Sequence, residues 1–152
     1  MRRALFTVAA AVVLFTGCSL DRVTAAPIST VVARWSGTHG ENTLPETRII
    51  RSPAEWTALW AQIGRGPPQR FDPAREFAVA VFLGERRSGG YSVEITGVSE
   101  IAEGVFIFYR EKVPGRDQRV AQMLTSPWTV ALFPATTRPV DVRKIPATVR
   151  AP

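Results

Sequence analysis

The chain is poor in the residues that most often perform chemistry: among its 152 residues there is one cysteine, Cys18, and one histidine, His39. One thiol excludes an intramolecular disulfide, so the fold must stand on its hydrophobic core. One histidine without a second His or Cys nearby does not make a metal-ligand set, and His39 reads as a loop residue. The G-x-S-x-G, H-E-x-x-H and S-x-x-K patterns are also missing. Nucleophilic catalysis needs an activated nucleophile, a base in reach and an orienting group. Neither Lys112 nor Lys144 stands at a telling distance from a serine, and Glu100 and Glu103 read as a solvated turn. No glycine loop opens a helix in the manner of a phosphate cradle, so Gly89-Gly90 is a turn signal. The expectation is a protein with no catalytic residues, no metal and no cofactor.

Clustered positive charge is lacking too. The formal net charge is +6, but acids and bases are interspersed, as in Glu85-Arg86-Arg87 and Arg110-Glu111-Lys112. Nucleic-acid-binding tracts are usually concentrated and interleaved with aromatics, so no nucleic-acid partner is expected.

The apolar segment near the start, Ala4 to Phe15, follows Arg2 and Arg3 and is too short for a comfortable membrane helix. It reads as a secretory signal over residues 1–18. Leu14-Phe15-Thr16-Gly17-Cys18 resembles a bacterial lipobox, which would make Cys18 a lipid attachment point and anchor an exported chain in the cell envelope. A cut near Val23-Thr24-Ala25 is the alternative, giving a soluble secreted or periplasmic product. Residues 19–27 read as a tether and 28–152 as a single domain. About 130 residues suffice for one proper core.

Within that domain the organising stretch is Phe77 to Val98. Phe77–Leu83 is unbroken apolar, as a strand covered on both faces should be. Gly84 to Gly90 supplies turn chemistry, and Tyr91, Val93 and Ile95 then alternate with Ser92, Glu94 and Thr96. The pattern predicts a hairpin of one fully buried and one half-buried strand. Before it, Ile28–Trp35 and Thr47–Arg51 read as strands. Ser52 to Gly64 reads as a helix, with a Ser52/Glu55 capping box, Pro53 at its first position, and Trp56, Leu59, Trp60 and Ile63 on one stripe. After it, Val105–Lys112, Trp128–Phe133 and Val140–Ile145 read as strands, while Val120–Ser126 fits either a turn of helix or an irregular edge. About seven strands and one helix without alternation predict a mainly β fold: an antiparallel β-sandwich or open barrel with one amphipathic helix packed on it.

These residues carry a resemblance. Phe71-Asp72, the strand ending Leu83-Gly84-Glu85, Ser88-Gly89-Gly90-Tyr91, the Val105–Tyr109 strand, Pro114-Gly115 and Thr125-Ser126-Pro127-Trp128 together resemble the C-terminal domain of the PrcB family over about 71–134. The resemblance implies a non-catalytic accessory lipoprotein of a surface protease complex, with a protein partner such as an exported protease. Arg86, Arg87, Ser88, Gly89, Gly90 and Tyr91, with Pro127 and Trp128, are the expected partner-binding residues. In style, Gly-rich and Pro-Trp loops at one end of a sandwich are also similar to chagasin-type protease inhibitors, and inhibition stands as the alternative.

Overall fold

The computed structural model describes residues 31–149. The expected signal peptide, Cys18, the tether and the first residues of the Ile28–Trp35 strand lie outside the described residues. The elements run β1 (Ala33–Gly37), β2 (Glu46–Ile50), α1 (Pro53–Gln62), β3 (Glu76–Phe82), β4 (Ser92–Ile101), β5 (Gly104–Val113), β6 (Trp128–Pro134) and β7 (Val140–Val149). They form a four-stranded sheet, β1-β6-β3-β2, and a three-stranded sheet, β4-β5-β7. Neither closes on itself, and the mainly β fold is two sheets with one helix, arranged as a sandwich.

α1 begins where local chemistry dictates. Ser52 Oγ accepts the Glu55 N–H at 3.3 Å, and Glu55 Oε2 accepts the N–H groups of Arg51 and Ser52 at 2.9 and 3.0 Å. The helix stops at Ile63, followed by Gly64 at φ +77. Its buried stripe is Trp56, Leu59 and Trp60, extended by Ile63 just past the last turn.

The two central strands of the large sheet, β3 and β6, explain the long apolar runs. Ala78, Ala80 and Phe82 with Trp128, Val130 and Leu132 face α1. Phe77, Val79 and Val81 with Ala131 and Phe133 face the second sheet, where they meet Val93, Ile95, Val105 and Ile107. Each strand alternates between two different cores, so neither face can be polar. The layers are therefore helix, four-stranded sheet, three-stranded sheet.

Two sequence expectations change. β3 and β4 are not a hairpin: β3 is hydrogen-bonded to β2 and β6 on its two sides, leaving no edge for β4, and the Gly84–Gly90 segment instead carries the chain from one sheet to the other. The pairing is also not wholly antiparallel, because β7 runs parallel to β5. The chain leaves β5, crosses to β6 in the other sheet and returns, and such a crossover is what a parallel pair requires. Val120–Ser126 resolves as an irregular edge whose one bridge pairs Thr125 with Arg86.

Candidate functional site

The expected partner-binding segment, Arg86 to Tyr91, is held from several sides. Arg86 exchanges backbone hydrogen bonds with Thr125 at 2.7 and 2.9 Å, Gly89 N–H donates to Ala121 O at 2.8 Å, and Thr125 Oγ1 donates to Ser88 O at 3.0 Å. Gly90 sits at φ +85 with Val120 and Pro114 where a Cβ would be, so its glycine is required by both conformation and space. The segment is thus laced to the Val120–Ser126 edge.

Arg86 points inward. Its Nε and Nη2 donate to Glu111 Oε1 at 3.1 and 2.9 Å, its Nη1 donates to Leu83 O at 2.8 Å, and its guanidinium lies 5.6 Å from the centroid of the half-buried Tyr91 ring. Lys144 Nζ of β7 takes the other oxygen, Glu111 Oε2, at 2.8 Å. Burial pushes the Glu111 carboxyl up, but the hydrogen bonds and charges of Lys144 and Arg86 outweigh it and hold the group below the usual carboxylate range. Arg86, Glu111 and Lys144 form an ion-pair clasp joining the inter-sheet crossing to β5 and β7. Spacing gave no sign of Glu111 or Lys144, since they lie 25 and 58 positions beyond Arg86; an acid on the inward side of an otherwise apolar strand was the available signal.

Pro127 and Trp128 are not on a surface. Trp128 is 1 % exposed, donates from Nε1 to His39 O at 2.8 Å, meets Trp60 edge-on and leaves no room for a Cβ at Gly37. Pro127 is buried and its carbonyl accepts the Leu83 N–H at 2.9 Å. The expected two-loop docking surface therefore loses one of its loops to the core.

What this end of the sandwich does expose is Arg87, together with Leu44, Met123 and Leu124 at 75, 46 and 59 % exposure. Their loops are adjacent: Thr43 O accepts the Glu85 N–H at 2.9 Å, and Ser126 Oγ donates to Asn42 O at 2.5 Å. Exposed Arg116 and Arg119 lie on the loop that supplies Pro114 and Val120 to Gly90. Exposed apolar side chains grouped among polar ones are an ordinary surface signature of a protein contact. Leu44 was not singled out in sequence, where it reads as one apolar residue inside a polar loop.

A hollow of about 140 Å³ at the same end is lined by His39, Glu85 and Ser126 among others. The three are not arranged as a triad. Ser126 Oγ is committed to Asn42 O, and the His39 ring is hydrogen-bonded through Nδ1 to Thr38 Oγ1 at 3.0 Å. A larger groove, about 660 Å³, runs beside α1 between Pro53, Pro67 and Pro73, but its aromatic floor, Trp56 and Phe71, is almost wholly buried. No helix among the described residues is long and apolar enough to cross a membrane.

Residues 77–134, from the second residue of the central strand β3 to the end of β6, match the family model described as PrcB C-terminal. No curated protein and no solved structure matches the chain.

Proposed function

We propose, starting from the PrcB C-terminal match over residues 77–134, that this chain is a non-catalytic accessory protein that binds and supports a protein partner, such as an exported protease, in the cell envelope. The matched span contains the inter-sheet crossing, the Val120–Ser126 edge and the residues that knit them together, and this pairing is the observation that carries the reading. The crossing is hydrogen-bonded to that edge through Arg86, Ser88 and Gly89, with Arg87, Met123 and Leu124 at the surface beside Leu44. A preorganised loop end binds without first losing chain entropy, which suits docking. Cys18 would carry the lipid anchor, and the Arg2–Phe15 segment the export signal.

Inhibition in the chagasin style needs two loops entering a cleft together. With Pro127 and Trp128 in the core only the glycine-rich one remains, so the accessory reading stands ahead.

Affinity capture from native envelope extracts tests the proposal, with the full chain as bait and a Leu44→Asp/Leu124→Asp double variant as control. A protease or other envelope protein retained by the wild type and lost by the variant is expected. Capture of nothing, or equal capture by both baits, would sink the reading. Adding the chain to a panel of cysteine and serine proteases separates the alternative: loss of protease activity would favour inhibition.

A further inference from the structure

The outward face of the β4-β5-β7 sheet carries two aromatic side chains that belong to neither core. Register fixes which residues lie there. Val98 pairs with Ile107 facing the core, so the next pairs, Ser99 with Phe106 and Gly97 with Phe108, face outward, as does Glu94 with Arg110. Phe106 and Phe108 are half-buried and absent from both apolar clusters of the described residues. A Cβ added at Gly97 would meet nothing within 4 Å, so there is open space beside Phe108. Across β7, the Arg143 guanidinium lies 4.1 Å from the Phe106 ring centroid.

Charge on this face is unequal. Lys112 pairs with Glu94 at 2.5 Å and Arg143 with Asp141 at 2.8 Å. Arg110 makes no ion pair among the described residues, although it stands across from Glu94 in the β4–β5 register. The face thus offers one surplus guanidinium, an open aromatic ring beside it, and two carboxylates already occupied.

We propose that this face docks an extended acidic segment of a partner protein, with a carboxylate on Arg110 and a neighbouring apolar or aromatic side chain in the space beside Gly97, against Phe108. Arginine and a carboxylate meet as a forked pair, and the stacked ring supplies contact area. A single-stranded nucleic acid would use the same aromatics, but it brings a phosphate at every step. Glu94 and Asp141 would repel that unbroken row, whereas a peptide can set its carboxylates apart with apolar and aromatic residues between them. The surface lies apart from the Leu44–Leu124 loop end and does not depend on the accessory reading.

A random copolymer of glutamate and tyrosine, titrated into the full chain by calorimetry, tests the proposal. Saturable binding is expected that weakens with salt and about tenfold in Arg110→Gln. Gly97→Val, which fills the space beside Phe108 without removing a core group, should weaken it as well, while Arg70→Ser, an exposed arginine beside α1, should not. Thermal melting of each variant establishes that it is folded. No saturable binding, unchanged affinity in folded Arg110→Gln or Gly97→Val, or tighter binding of an oligothymidylate than of the copolymer would each overturn the proposal. A chain that ignores the copolymer yet captures an envelope protein through Leu44 and Leu124 defeats this inference and leaves the accessory reading standing.

Discussion

Glu111 holds three separated parts of the chain with two oxygen atoms, and its removal should be felt out of proportion to its size. Glu111→Gln leaves Arg86 without its carboxylate in a largely buried place and should cost about 2–3 kcal/mol at neutral pH, somewhat under the usual figure for a buried pair because Lys144 is half-exposed. Lys144→Met, at the exposed end of the clasp, should cost no more than about 1 kcal/mol. The acid dependence follows from the sign of the shift. A carboxyl held below its unfolded value stabilises the fold fully above about pH 4.3 and loses that contribution as pH falls through the folded value. Melting temperatures measured across the acid range should therefore fall less steeply for Glu111→Gln than for the wild type; parallel acid limbs would refute the clasp. Glycines give a second contrast. Gly84→Ala forces φ +75 on a residue with a Cβ and places that Cβ 2.7–2.8 Å from the backbone of Thr43, Leu44 and Pro45, so it should destabilise by about 2–3 kcal/mol. Gly97→Ala, with open space and a strand conformation, should be neutral or gain up to about 1 kcal/mol. Urea midpoints of the two variants decide the matter.

At the scale of elements, α1 is the part whose local chemistry and tertiary role agree best. Ser52→Ala removes the capping oxygen and should cost about 1 kcal/mol. That Trp56, Leu59 and Trp60 share a face was legible from their spacing, because a helix must bury one stripe. What they meet was not: Trp35, Trp60 and Trp128 converge from β1, α1 and β6, with ring centroids 5.5 and 5.8 Å apart across the helix–sheet boundary. Trp128 is the β6 member of this cluster, and Trp128→Ala should cost about 3–5 kcal/mol, measured by denaturant unfolding. A loss under about 1 kcal/mol would return Trp128 to the surface role suggested by its Pro-Trp context.

For the whole molecule, β3 and β6 each contribute one face to the helix-side core and one to the inter-sheet core, so neither core can melt while the other persists. All four tryptophans belong to the helix-side core, whereas both sheets contribute to far-ultraviolet circular dichroism. Tryptophan fluorescence and circular dichroism should then give one common urea midpoint, and two separated midpoints would show the layers to be independent. The sequence by itself determined the element types, the helix boundaries, the two-sided burial of Phe77–Phe82 and the PrcB-like span, because periodicity, capping and turn residues act over a few positions. Tertiary structure alone decided that the Gly84–Gly90 segment crosses between sheets, that β7 runs parallel to β5, that Trp128 is core, and that Arg86, Glu111 and Lys144 meet. Each of these depends on which strand occupies which edge, a competition among residues tens of positions apart that no local pattern records.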